Sequence, residues 1–438
     1  MRDVLVLIVF TGFLPLALRH TWIGVLLWTW ISVMNPHKLA FGFAYDAPFA
    51  AVAAGVTLLS MLISRDKLSM PSSPVVKVLL AFVIWMCITT AFAFFPELSS
   101  EQLSKVLKIQ LMTVVALLAL KERKHIELFI WVNVLSIGFY GFKGGLFTIA
   151  KGGTGRVSGP SGGFFEGNNE LAVALVMVIP LMNFLRLHTP RLWVRHGLLV
   201  VMLLCAVAVL GTQSRGALLA VVAMGLMMWF RSAKKFITGL FLGSVAIALV
   251  TFMPSSWESR MNTIENFQDD SSAMGRVEAW KMTINLANRH FFGGGFEIYR
   301  PDIYALFAPE SPYHQGAHSI YFSVLGEHGY LGLILFLCIW AMAFGVANQI
   351  RREAKKNDET VWLHNLASMC QVSLVGYLVG GSFLALAYFD LPYNILVVLV
   401  ISLNWMREKR WKPQPKGAFD VAKSLTRLSQ PATRRASS

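Results

Sequence analysis

Acidic side chains are few in this chain. Asp and Glu number 24 against 39 Lys and Arg in 438 residues, and the four charged types together make up only 14%. A soluble globular chain carries about 25%, so a water-soluble domain is excluded as the reading of the whole. Cysteine is scarce too. The four present, Cys87, Cys205, Cys338 and Cys370, fall inside separate apolar runs, and none belongs to a Cys-x-x-Cys pair. That pattern sets aside a disulfide framework and a zinc site. The glycine-rich stretch at 143–169 is not closed by Gly-Lys-Ser/Thr, so it is no nucleotide phosphate loop. No internal repeat links two halves, which weighs against a transporter built from repeats.

What fills the chain instead is apolar sequence: 55% of residues are hydrophobic, and the mean hydropathy is +0.56. Spans need about 20 apolar residues. Runs of that kind lie at 3–18, 21–36, 47–64, 75–95, 103–120, 125–142, 169–187, 195–211, 215–230, 234–253, 319–349, 361–383 and 388–406. The first two are short and divided only by Arg19-His20, so counts of about twelve and about thirteen both stay open. The run after Met1-Arg2-Asp3 lacks a small-residue cleavage site and reads as a retained helix. The expected fold is all-α and polytopic.

The net charge of +15 is no sign of nucleic acid, because the basic residues stand in short blocks between apolar runs, at 65–67, 121–124, 186–195, 231–235 and 351–356. Placed on the cytoplasmic side, these blocks give a consistent alternation from residue 47 onward. The opposite, periplasmic face then receives 95–102, a Gly-rich loop near 143–169, a long loop at 254–317, and 387–390. The expected organisation is transmembrane helices over 1–253, the periplasmic loop 254–317, and transmembrane helices over 318–406. The segment 407–438, basic and rich in Ser and Pro, is expected to be a disordered cytoplasmic tail near anionic lipid.

A few polar residues interrupt this pattern. Arg215, in Thr212-Gln213-Ser214-Arg215-Gly216, separates two apolar runs with almost no loop. An arginine at a membrane border either snorkels or meets an anion in a polar cavity. Within 254–317, the stretch from Ser272 through Arg276 to Asn288 reads as a helix with Ala279, Trp280, Ile284 and Ala287 on its apolar stripe. Gly293-Gly294-Gly295 follows it. This helix is expected to roof a cavity. Ala317–Gly332 then places His318 at the first turn of a span, with Gly326-Glu327-His328-Gly329 about two and a half turns further on. Arg215, Arg276 and His318 are thus expected on one face. Two guanidiniums match a diphosphate in bidentate fashion, and a neutral imidazole can take a proton from a sugar hydroxyl. Gln213, Asn168, Tyr321 and Glu327 are supporting candidates; Glu327 either orients a polar partner or packs the helix. The metal alternative rests on Asp269-Asp270, a pair equally at home before a helix N-terminus.

The motifs Thr212–Gly216, Gly275-Arg276 with Trp280, Arg289-His290-Phe291-Phe292-Gly293-Gly294-Gly295, and His318-Ser319 with Gly326–Gly329 resemble, in this order, the O-antigen ligase family. That family also holds O-antigen polymerases and bacterial protein O-oligosaccharyltransferases. The resemblance spans about residues 130–345. It implies a GT-C-like glycosyltransferase of the inner membrane with a glycan donor on undecaprenyl diphosphate, inversion at the anomeric carbon, and neither metal nor cofactor. Its two arginines map to Arg215 and Arg276, and its histidine to His318. The acceptor it implies first is lipid A-core, giving lipopolysaccharide; protein Ser/Thr and a growing glycan are alternatives, and a transporter is the rival of another class. One departure is Phe291, where the family often has proline after the outer-loop histidine; this bears on His290. Met34-Asn35-Pro36-His37-Lys38 with Phe43-Ala44-Tyr45-Asp46 resembles a branch of O-glycosylation ligases linked to exosortase systems.

Overall fold

The computed structural model describes residues 1–160, 162–163, 165–232, 234–253 and 271–410. Asp269-Asp270 and the tail from residue 411 lie outside the described residues. All regular structure among the described residues is helical. In chain order the helices are α1 (Arg2–Arg19), α2 (Thr21–Met34), α3 (Phe49–Ile63), α4 (Pro74–Ala91), α5 (Pro96–Ala119), α6 (Arg123–Ala150), α7 (Asn168–His188) and α8 (Leu192–Gly211). They continue with α9 (Arg215–Arg231), α10 (Lys235–Phe252), α11 (Ser271–Arg289), α12 (Pro301–Phe307), α13 (Ile320–Glu353), α14 (Val361–Gly380) and α15 (Asp390–Arg407). Among the described residues, 7 are long and apolar enough to cross a membrane: α4 to α8, α13 and α14. The apolar α2 and α3, and residues 235–247 of α10, are shorter. The chain is a multi-pass membrane protein, and its apolar runs divide into full-length and short helices.

The bundle is built around α15. Nearly every residue from Asp390 to Met406 is buried, as expected of a helix apolar on all sides. It packs against α13, α5, α6 and α14. A second seam joins α6 to α8. There, a Cβ at Gly141 would run into Cys205 and one at Gly145 into the Leu204 backbone. Small residues permit this approach where apolar surface alone gives little drive for helices to associate. The seam also corrects the Gly-rich loop. Lys143, Gly144 and Gly145 are helical, and the connection to α7 begins only at Lys151.

Over one end of the bundle sits a small separate core made by Ala279, Met282 and Leu286 of α11 with Ile303, Tyr304 and Phe307 of α12. The buried face of α11 runs through Ala279, Met282, Thr283, Leu286 and Ala287, whereas Ile284, expected on it, is exposed. Trp280 is half-buried. It stacks on Phe322 with ring centroids 4.8 Å apart, and its indole N–H donates to the Ala317 carbonyl over 2.8 Å.

The stretch after α11 is stitched to the middle of α13. Gly294 N–H donates to the Gly326 carbonyl (2.8 Å) and Gly295 N–H to that of Glu327 (3.0 Å). At Gly329, α13 breaks, with φ 66 and ψ −173. A Cβ there would collide with the Phe291 carbonyl. The His328 carbonyl, freed by the break, accepts from the Trp85 indole over 2.8 Å. Such accounting is required of buried backbone.

Candidate functional site

The turn joining α8 to α9 brings Arg215 to the end of the bundle under α11. Gln213 takes a left-handed conformation (φ 57). Ser214 caps α9, its hydroxyl accepting from Ala217 N–H at 3.3 Å. Arg215 is therefore the first residue of a helix, not a loop residue. It shares a cavity of about 300 Å³ with Arg276, Gln213, Asn169, Ser272 and Phe383. The two arginines expected on one face both line this cavity.

Three helices begin at this cavity. Asn169 belongs to the first turn of α7, Arg215 opens α9, and Ser272 lies in the first turn of α11. The N-terminal end of a helix carries the positive end of the helix dipole. Among the described residues no Asp or Glu lines the cavity. The result is a pocket with two guanidiniums, hydroxyl and amide side chains, and three dipole ends of one sign. Chemically it is suited to an anion with several oxygens.

His318 stands beside this cavity and not on its wall. It precedes the Ser319 cap of α13 in a left-handed conformation (φ 43). The expectation that it occupies the first helical turn is therefore off by two residues. Its imidazole is half-buried. Burial first, and the nearby Arg276 guanidinium second, hold its pKa below the ordinary 6.5. Both causes penalise the charged ring, so the neutral form needed to accept a proton is favoured.

The supporting residues separate. Gln213 lines the cavity. Asn168 does not; its amide donates to the Thr212 carbonyl over 2.8 Å, which pins the start of α7 to the arginine turn. The neighbouring Asn169 is the one on the wall. Tyr321 donates its hydroxyl to the Leu378 carbonyl (2.9 Å) and ties α13 to α14. Glu327 is buried and accepts from the Tyr388 hydroxyl at 2.6 Å. Nine residues along a helix put it about 14 Å from His318, so it acts at the stitched break. Thr89 Oγ1 and His328 Nδ1 are hydrogen-bonded there at 2.7 Å. His290 is packed edge-on to Phe94 at 5.0 Å and Phe307 at 5.5 Å. Among the described residues no three His, Cys, Asp or Glu are grouped to hold a metal ion.

Sequence reasoning passed over Asn169, Ser272 and Phe383. An Asn-Asn pair ahead of an apolar run is a helix-start signal, and it would have placed the α7 N-terminus at the site. Ser272 carries the same signal for α11. Phe383 has no local signature, because only the packing of α14 brings it there.

Comparison with known proteins bears on the same stretch. Residues 200–337 match the family model described as O-antigen ligase. Residues 1–190 match a model described only as a family of unknown function. No curated protein matches the chain. The ligase match starts downstream of the Gly-rich segment, later than the motif resemblance suggested, and contains Arg215, Arg276 and His318. This multi-pass membrane protein, helical in all the regular structure of its described residues, carries at residues 200–337 a domain of the O-antigen ligase family.

Proposed function

We propose that the protein transfers a preassembled glycan from undecaprenyl diphosphate to a hydroxyl of lipid A-core on the periplasmic face of the inner membrane. The observation that carries this reading is the cavity in which Arg215, Arg276 and three helix starts converge, with no carboxylate among its described lining residues. In the reaction, His318 takes the proton of the acceptor hydroxyl. The oxygen attacks the anomeric carbon from the face opposite the diphosphate. The bond from that carbon to the diphosphate oxygen breaks, its electron pair stays on the leaving group, and configuration inverts. Arg215 and Arg276 hold the charge that grows on the diphosphate, a task given to preorganised cations in other transfers to and from phosphate. With two fixed cations in that place, no divalent ion is required. Activity is expected to survive EDTA; loss restored by magnesium would bring Asp269-Asp270 back as ligands.

A second acceptor is favoured by one specific observation. The stretch 34–46 resembles that of O-glycosylation ligases linked to exosortase systems, which points to Ser or Thr of a secreted protein. The deciding experiment is deletion of the gene with separate readouts of lipopolysaccharide ladders and of glycoproteins. Loss of the ladder, restored by the wild-type chain and not by Arg276→Ala, is the expected result. An intact ladder with unglycosylated protein selects the second acceptor. No change in either overturns glycosyl transfer and leaves transport as the reading.

A further inference from the structure

A second cavity, of about 230 Å³, lies on the other side of the 151–167 connection. Its wall carries Lys143 from α6 and Arg156 from the connection, with Tyr140, Phe147, Leu39 and Val157 supplying apolar surface. Both cations are exposed. Among the described residues no carboxylate lines this cavity, and neither cation has an ion-pair partner. The nearby Lys38 is different: its ammonium is 3.4 Å from Asp46 and lies over the Tyr45 ring. Lys143 stands seven residues before the end of α6, about 10 Å along the axis. From such a position the long aliphatic stem of a lysine can carry its ammonium toward polar partners.

The two cavities are linked through the backbone. Val157, which lines the second, donates its N–H to the Gly211 carbonyl over 3.0 Å. Gly211 is two residues from Gln213, which lines the first. Asn168 fastens the other end of the same connection to Thr212. The connection that carries Arg156 is therefore fastened at two points to the end of α8 and the turn that carries Arg215. Paired cations above an apolar floor fit a phosphate borne by a lipid, since the phosphate meets charge-assisted hydrogen bonds and the chain meets aliphatic and aromatic surface.

We propose that Lys143 and Arg156 form a subsite for the phosphate of a lipid-type acceptor, and so hold the acceptor beside the donor cavity. This rests on the glycosyl-transfer reading above. It also gives a task to part of the 1–190 segment, whose matching family has none described.

The test uses the full chain in nanodiscs, with lipid A-core bearing its phosphates and the same glycolipid after phosphatase treatment. Binding is measured without donor, and transfer is measured with it. The expected result is binding of the phosphorylated form at least about tenfold tighter. In Lys143→Gln/Arg156→Gln that preference disappears and the acceptor KM rises by a similar factor, with little change in kcat. The charge-preserving Lys143→Arg/Arg156→Lys keeps most of the preference, which separates lost charge from lost fold. Equal binding of both glycolipids by the wild type overturns the subsite, as does equal competition by phosphatidylglycerol, which would make the pair an ordinary lipid contact. A wild type that prefers the phosphorylated lipid but transfers nothing instead faults the transfer reading.

Discussion

At the scale of single residues, the site depends on what a guanidinium does that an ammonium cannot. Arg215→Lys keeps the charge at the start of α9 but loses the planar fork that meets two phosphate oxygens at once. Transfer is expected to fall at least about tenfold, or roughly 1.4 kcal/mol, with unchanged expression and detergent elution. Near-normal transfer by the double variant Arg215→Lys/Arg276→Lys would leave both as interfacial anchors. His318 is sensitive in another way. Its pKa is depressed, so the neutral ring persists below pH 6.5 and is lost only as pH falls through the depressed value. The same sign governs stability: the contribution of neutral His318 is full above the unfolded value and declines as pH drops through that window. Arg276→Gln removes the smaller of the two causes and leaves burial. Protonation of His318 should then move to higher pH without reaching 6.5, as read from the pH dependence of carbethoxylation at that one histidine. An unmoved profile would separate the two residues electrically. His318→Ala should abolish transfer while leaving donor binding, because a general base contributes about 10²–10⁴-fold.

At the scale of elements, α13 is the informative one. In the sequence it is an apolar run interrupted by Gly326-Glu327-His328-Gly329, and a glycine inside such a run does not announce whether the helix continues. Neither Gly329 nor Gly345 shows by itself whether the helix passes through it. In the fold, a Cβ at Gly345 would meet nothing within 4 Å, while Gly329 sits at φ 66 against the Phe291 carbonyl. Gly345→Ala should be neutral or slightly stabilising. Gly329→Ala should cost about 1–3 kcal/mol from backbone strain alone, seen as a lower unfolding midpoint in detergent and faster tryptic cleavage after Arg289. Equal behaviour of the two variants would mean that the break is not needed to hold the roof. The same contrast shows what was legible. The Thr212–Gly216 turn could be read from its position between two apolar runs, and α11 from its caps and period. The register of α11 could not, because Thr283 is buried and Ile284 is exposed where polarity suggests the reverse. Nor could the helical state of Gly144 and Gly145, which is set by the close approach of α8.

At the scale of the whole molecule, the distribution of basic blocks predicts an alternation whose sidedness a labelling experiment can check. The ends that carry the 151–167 connection and the arginine turn lie together. The block at 351–356 caps the far end of α13. In a background without the four cysteines, Thr154→Cys should react with an impermeant thiol reagent in intact spheroplasts, and Asp358→Cys should react only after lysis. Both positions are exposed, so access and not burial decides the outcome. The reverse pattern would turn the active face toward the cytoplasm and remove lipid A-core as acceptor. What no composition could show is that α7, α9 and α11 all begin at one point, since each helix start is ordinary alone.

The backbone stitch between Gly293–Gly295 and α13 divides ownership of the site. Arg276, on α11, and His318, at the head of α13, are joined through that stitch and the Trp280 contact to Ala317. Arg215 belongs to the neighbouring assembly of α8, α9 and the start of α7. In the reaction proposed above, a diphosphate gripped by both guanidiniums would be a clasp between two halves, fastened at the start of each turnover and let go at its end.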